Sequence, residues 1–352
     1  MLKYLLILFL LAGFMTKADN NKFTTESQLT NRYTVEIAHF WRQGNFSHFS
    51  GVNDTRINYA TFINNNKSTP TKCLVIASGR GESYLKYKEL SFDLFNSGYS
   101  LFLIDHRGQG LSQRLLANPH KGHVENFQYY VDDLTSFIEN IVTPHCQGSK
   151  PYLLAHSMGG AIATRYLQDF PNKIQAAVLS SPMLGFNSGS VPNFIAESVL
   201  MVSAKLNQWF DQTPWYFPGH KGFYQHPFSD NVLMHSPIRY QQFTQLYKTT
   251  PEIQLGGVTI QWLTESQKAI KEIFSHIDKI TTPTLVLQAG QDKIVKNQAQ
   301  DDFCQQLHQL QPQSCPYGKP LIIAGAYHEL FFESDAYREQ ALAAAIQWFE
   351  QH

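Results

Sequence analysis

The chain has 352 residues, with 28 Lys+Arg against 28 Asp+Glu and only 16% charged residues, well under the roughly 25% of an average soluble domain. Zero formal net charge without a basic stripe excludes nucleic acid as the main partner, and 43% hydrophobic content excludes a disordered chain. Sparse charge with 13% aromatic residues points to a globular protein with a large core that meets something apolar.

The amino terminus, MLKYLLILFLLAGFMTKADNN, places Lys3 before an unbroken apolar run from Tyr4 to Met15. A spanning helix needs about 20 such residues, so this shorter run fits an export signal, with small residues Thr16 and Ala18 at the cleavage site. Residues 1–18 are expected to be a signal peptide and the mature protein to be exported, periplasmic or secreted. An uncleaved anchor and a buried helix are the alternatives. Phe14 stands where LLAG would need a lipidated cysteine, so no lipid anchor is expected. Cys73, Cys146, Cys304 and Cys315 show no CxxC spacing, which argues against zinc or a redox motif. In an oxidising compartment they allow two disulfides, in any of three connectivities. Cys304 and Cys315, flanking a short polar loop, make the better pair; four reduced thiols are the alternative.

After a polar stretch at 19–34, FSHFSG and RINYATF alternate as two antiparallel strands closed by the turn-rich NNNKSTPT. KCLVIASG reads as a buried parallel strand, YLKYKELSFDLFNSGY as an amphipathic helix ending at Gly98, and SLFLIDHR as a second buried strand. The helix VENFQYYVDDLTSFIENIV, the strand PYLLAHS, the helix GGAIATRYLQDF and the strand IQAAVLSS follow. The late strands TPTLVLQAG and PLIIAGAYH flank QAQDDFCQQLHQL, and DAYREQALAAAIQWFEQ closes the chain as a helix. This alternation predicts an α/β fold with a mostly parallel, doubly wound sheet. The rhythm breaks at about 183–280, which is expected to be a helical cap inserted between two strands, with Ile195, Val199, Val202 and Leu206 on one helix face. Within it, Trp209, Phe210, Trp215, Tyr216, Phe217, Phe223, Tyr224 and Phe228 crowd a short stretch. Trp209, Phe210, Trp215 and Phe217 are candidates to hold an apolar chain; plain cap core is the alternative.

LLAHSMGGAIA carries the strongest chemical signal. A strand ends at His156, Ser157 follows, and Gly159-Gly160 open a helix, which is the arrangement of a nucleophile elbow with Ala155 in place of the first glycine of G-x-S-x-G. A serine hydroxyl needs a base, and on this strand–helix arrangement the acid and histidine follow later in the chain. Asp292 comes just past TLVLQAG and His328 just past LIIAGA, so both are expected at the edge where Ser157 emerges. His156 is read as structural; Asp278, Asp301 and Asp302 are rival acids that do not directly follow a strand. The backbone N–H of Met158 is one expected oxyanion donor, and the loop Ser78-Gly79-Arg80-Gly81-Glu82 supplies Arg80 N–H as the second. The Arg80 side chain would contact an anionic head group or pair with Glu82. DHRGQGLS lacks the GK[ST] ending of a phosphate loop, so Asp105 and Arg107 are expected to tie backbone together. His120 and His123 lack a third metal ligand; no metal or cofactor is expected.

ASGRGESYLKYKEL, LIDHRGQGLSQRLLANPHKGHVENFQYYVDDL, LLAHSMGGAIA, GGVTIQWLTES and IIAGAYHELFFESD together resemble the bacterial lysophospholipase branch of the monoacylglycerol-lipase-like α/β hydrolases. The similarity runs from about Thr34 to the C-terminus. One departure is Ser78-Gly79, where many members carry His-Gly. The resemblance implies an α/β-hydrolase fold, Ser157 as nucleophile, His328 as base, and hydrolysis of the acyl ester of a lysophospholipid through an acyl enzyme. It also implies peripheral contact with a membrane. Monoacylglycerol lipase, general carboxylesterase, acyl transfer and, from a different class, non-catalytic lipid binding remain as rival functions.

Overall fold

Runs such as Leu74-Val75-Ile76-Ala77 and Leu101-Phe102-Leu103-Ile104 have no polar face, so they are stable only as strands covered on both sides. The computed structural model describes residues 22–65, 71–187, 193–211 and 213–352. The expected signal peptide and most of the expected turn after the second strand lie outside the described residues. Strands β1 (Asn45–Ser50), β2 (Arg56–Phe62), β3 (Lys72–Ala77), β4 (Tyr99–Ile104), β5 (Tyr152–His156), β6 (Ala177–Ser180), β7 (Thr284–Ala289) and β8 (Leu321–Ile323) form one sheet in the order β1-β2-β4-β3-β5-β6-β7-β8. The β1–β2 and β2–β4 pairs are antiparallel and the rest parallel.

Register decides where chemistry can collect. Ala77 pairs with both Ile104 and Ala155, His156 with Ser180, Ser180 with Leu287, and Ala289 with Ile323. The parallel strands therefore end level, and the loops that follow β3, β4, β5, β7 and β8 meet at one edge. Alternate side chains enter two cores. Val75, Phe102 and Leu153 pack with α4 (Gln128–Phe137), α5 (Met158–Asp169) and α9 (Asn297–Leu310). Leu74, Leu101 and Leu154 face α3 (Lys88–Asn96) and α10 (Asp335–Gln351). Helices on both faces make the sheet doubly wound.

Two elements were not expected. Residues within the polar stretch form α1 (Glu26–Thr34), opened by a Thr25/Gln28 capping box, and α2 (Glu36–Trp41) follows. Only Leu29 of α1 is buried, so its hydrophobic signal is weak. Between β6 and β7 lie α6 (Asn193–Phe210), α7 (Pro237–Thr249) and α8 (Ile260–Ser275), and among the described residues there is no strand of the sheet. These helices differ in how they are held. Trp262, Ala269 and Ile273 of α8 belong to the main core. In α7, buried Arg239 bonds the Glu89 carboxylate, the Glu333 carbonyl and the Thr24 carbonyl, which fastens it to the body of the protein. Only α6 stands outward. Val199, Val202 and Leu206, expected on one helix face, are exposed and Leu200 is buried; the Ile195 side chain lies outside the described residues. The period of α6 reveals a stripe but not whether a partner covers it. Among the described residues no helix is long and apolar enough to cross a membrane.

All four cysteines are paired. Cys73 in β3 joins Cys146 beyond α4, and Cys304 in α9 joins Cys315. The first bridge links residues 73 apart and the second residues 11 apart. Loop entropy alone then favours the folded state by on the order of 4 and 3 kcal/mol, respectively. A Cys73→Ser/Cys146→Ser variant should lower the urea midpoint more than Cys304→Ser/Cys315→Ser does, and a reductant should reproduce both losses together.

Candidate active site

β5 passes into α5 through one residue, and that residue is Ser157. Its backbone adopts φ 52° and ψ −116°, a left-handed conformation that costs a non-glycine residue on the order of 1–3 kcal/mol. Surrounding bonds enforce it: Ser157 N–H donates to Ser180 O at 3.0 Å, and Ser157 O accepts from Gly160 at 2.9 Å and Met183 at 2.9 Å. Bulk is forbidden beside it. A Cβ on Gly159 would run into the carbonyl oxygens of Ala77 and Ser78, and one on Gly160 would lie 2.7 Å from Pro182. The small residues of the S-x-G-G run are thus required by the close approach of β3 and the loop after β6.

The level strand ends bring Ser157, His328 and Asp292 together. Ser157 Oγ lies 2.9 Å from His328 Nε2, and His328 Nδ1 lies 2.7 Å from Asp292 Oδ2. The other Asp292 oxygen accepts from the N–H groups of Ile294 at 2.8 Å and Val295 at 3.1 Å. Burial alone would raise the Asp292 carboxyl, but His328 and these two amides hold it below its ordinary value. Burial pulls His328 down, and the Asp292 bond and charge, helped by Glu329 and Glu82, raise it above its ordinary value. Asp301 and Asp302 are engaged elsewhere, accepting from Gln288 and Gln298.

The loop after β3 arches over the same edge. Gly79 N–H is taken by Glu82 Oε2 at 2.5 Å and Gly81 N–H by Gln109 at 3.0 Å. Between them, Arg80 N–H has no acceptor among the described residues, nor has Met158 N–H in the first turn of α5, whose helix dipole favours negative charge there. The Arg80 side chain does not pair with Glu82. It reaches away, donating to Gly256 O at 2.9 Å. Asp105 organises the adjoining loop, accepting from Ser83 Oγ, Tyr84 N–H and Leu111 N–H, while Arg107 grips Asp133 through two hydrogen bonds.

Behind the catalytic edge lies a buried ionic cluster that sequence reasoning missed. Lys86 Nζ sits 2.5 Å from Glu82 and 2.6 Å from Glu329, and Tyr87 donates to Glu82 at 2.6 Å. Burial would raise Glu82, but Lys86 and His156 bring it down to about 2. His156 itself is lowered by burial, and its ring lies 4.9 Å from that of His328. Glu82, His156 and Glu329 could offer metal ligands within 4.8 Å of one another, but Lys86 already supplies the cation. The available signals were the i, i+4 spacing of Glu82 and Lys86 and the position of Glu329 next to His328. Of the two expected poor metal ligands, His123 bonds Thr259 at 3.1 Å.

A cavity of about 470 Å³ opens beside Ser157, lined by Met183, Phe186, Leu200, Phe217, Val258 and Trp262, with Arg80 and Lys293 as its charged groups. Of the four aromatic candidates, only Phe217 lines it. Trp209 and Phe210 are 77% and 74% exposed at the outer end of α6, and the Trp215 indole N–H bonds Asp211 at 3.0 Å. Aromatic density in the sequence did not distinguish the inner wall of the insertion from its outer surface.

Residues 68–335 match the family described as serine aminopeptidase, S33. The chain belongs to this hydrolase family. Within it the protein is a homologue of lysophospholipase L2: it is 40% identical to "Lysophospholipase L2" of Escherichia coli (strain K12) over 320 residues, covering 90% of each chain. It is 34% identical to "Probable lysophospholipase L2" of Haemophilus influenzae, covering 88% of this chain and 93% of that one. Its fold is that of the α/β hydrolases; a soluble variant of monoglyceride lipase from Saccharomyces cerevisiae superposes with a TM-score of 0.64 at 16% identity, covering 88% of this chain and 96% of that one.

A histidine base works only when neutral. Because Asp292 raises His328, the acid limb of kcat/KM for a soluble ester should lie above histidine's usual value of about 6.5. Asp292→Asn removes the main raising partner against burial, so the limb should move to lower pH while kcat falls by about 10³–10⁴-fold.

Proposed function

We propose that the protein is a serine esterase that hydrolyses the acyl ester of lysophospholipids through an acyl enzyme on Ser157. The observation that carries this reading is the Ser157–His328–Asp292 hydrogen-bond chain opening on an apolar cavity. Its homology to lysophospholipase L2 supports the choice of substrate.

Ser157 Oγ attacks the acyl carbonyl as His328 Nε2 takes its proton, and Asp292 holds the imidazole orientation and stabilises its charged form. The tetrahedral oxyanion is received by the N–H groups of Arg80 and Met158. His328 then protonates the departing glycerol oxygen, leaving the acyl group on Ser157. Water attacks this ester, gives its proton to His328 and releases the fatty acid, which restores the Ser157 hydroxyl. The acyl chain occupies the cavity along Phe186, Leu200 and Phe217. The family's peptidase label fits less well, because no carboxylate lines the cavity among the described residues to hold a substrate amino terminus.

The substrate lives in membranes or micelles, and we infer that α6 meets them. Met201, Val202, Trp209 and Phe210 are exposed on the helix whose buried Leu200 lines the cavity, a combination suited to drawing a lipid from an interface. Export across the inner membrane fits the apolar run Tyr4–Met15 and the pairing of all four cysteines, since disulfides persist in oxidising compartments.

A fluorophosphonate probe should label the wild-type protein and not Ser157→Ala. Profiling on lysophosphatidylcholine, monoacylglycerol, diacyl phospholipid and short-chain esters should then rank lysophosphatidylcholine first. Absence of labelling at Ser157 would contradict the chemistry; a strong preference for diacyl lipid or short esters would contradict the substrate alone. Fatty acid transferred to an added lipid acceptor rather than to water would establish the acyl-transfer rival.

A further inference from the structure

The cavity holds a positive charge that breaking an ester does not require. The buried guanidinium groups of Arg107, Arg239 and Arg338 are matched with Asp133, Glu89 and Asp93, each at 2.7–2.9 Å, whereas Arg80 is half-buried. Arg80 has no such match. Its guanidinium lies 5.9 Å from the centre of the Trp262 ring and donates to one carbonyl, that of Gly256, and no carboxylate pairs with it among the described residues. A guanidinium carries five N–H donors in a planar fork, so most of those of Arg80 remain for a ligand. Removing a cation from water without an anion is costly, and burial accordingly lowers the Arg80 pKa from its ordinary value.

The surroundings point the same way. Lys293, directly after Asp292, adds a second cation to the cavity wall. His220, also on the wall, accepts Val258 N–H at its Nδ1, and burial followed by the charge of Arg80 lowers its pKa. It therefore stays neutral beside Arg80 and does not compete for an anion. The main chain and the side chain of Arg80 also serve one ligand at two places. Its N–H is placed for the ester oxyanion, and its guanidinium stands further along the wall. In a lysophospholipid the ester and the phosphate are joined by a short glycerol linkage, so one residue can meet both.

We propose that the Arg80 side chain binds the head-group phosphodiester of the substrate and makes the site favour lysophospholipid over uncharged monoacylglycerol. This assignment rests on the esterase reading above. The fork geometry matches a pair of phosphate oxygens, and charge-assisted bonds of this kind are roughly twice as strong as neutral ones. Trp262 beneath the guanidinium and Gly256 beside it hold the group in place before substrate arrives.

The test compares wild type, Arg80→Met and Arg80→Lys on lysophosphatidylcholine and on monoacylglycerol with the same acyl chain. The backbone N–H survives both substitutions and serves both substrates, so the ratio of the two kcat/KM values isolates the side chain. In Arg80→Met the ratio should fall by about tenfold or more, chiefly through KM for the lysophospholipid. Arg80→Lys should recover part of it, because the charge remains and the fork is lost. Glycerophosphocholine should inhibit the wild type more strongly than Arg80→Met. An unchanged ratio in a folded Arg80→Met protein, or in Arg80→Gln should Arg80→Met fail to fold, would overturn the proposal. Inorganic phosphate competing as well as glycerophosphocholine would assign Arg80 to free phosphate and overturn the head-group role. Failure of the esterase reading looks different: the wild-type protein itself would not hydrolyse lysophospholipid.

Discussion

Everything at the candidate site depends on one strained residue. Ser157 is held at positive φ between β5 and α5, and that conformation survives only because the neighbouring backbones leave it no alternative. Gly159 lets α5 approach the end of β3, and Gly160 lets it approach Pro182 after β6. The same close approach sets the loop after β3 beside the serine. Strain, glycine placement and strand register are therefore one constraint, and it points the Ser157 hydroxyl at His328 rather than back into the sheet.

The second support is electrostatic. Lys86 is clamped between Glu82 and Glu329, and the two carboxylates belong to different halves of the site. Glu82 fixes the loop after β3 by accepting Gly79 N–H, and Glu329 is the residue after His328. Burying one ammonium with two carboxylates is no general route to stability, since desolvation opposes the Coulombic gain. What the cluster provides is a rigid link: the loop after β3, proposed to receive the oxyanion, and the loop that carries His328, the proposed base, share one cation. Tyr87 and His156 close the shell around it, which explains why the histidine beside the nucleophile is a packing group.

Much of this was legible in the chain because it rests on local patterns. Six strands follow from apolar runs and the first two from alternation, and Ser157, Asp292 and His328 follow from their places just past strand ends. What sequence did not reveal depends on partners. The stripe on α6 is visible as a period, but whether it is covered is decided by elements far away in sequence. Trp209 and Phe217 look alike in a list of aromatics, yet one faces solvent and the other the cavity. Arg239 looks like a surface cation, but it bolts α7 to α3 through Glu89. Lys86 joins Glu329 across a separation of 243 residues, which no local spacing announces. The Cys304–Cys315 bridge was readable from proximity; the Cys73–Cys146 bridge needed the sheet that brings β3 under α4.

The most direct test of the central claim is rapid-quench mass spectrometry of the enzyme mixed with excess lysophosphatidylcholine. An acyl group is expected, within the first turnover, on the peptide containing Ser157, and it should accumulate when the pH is dropped after acylation so that His328 becomes protonated. Concretely, quenching below the acid limb should trap the ester because a protonated His328 cannot activate the deacylating water. Fatty acid released at full rate with no acyl group on Ser157, or with the acyl group on another residue, would contradict it.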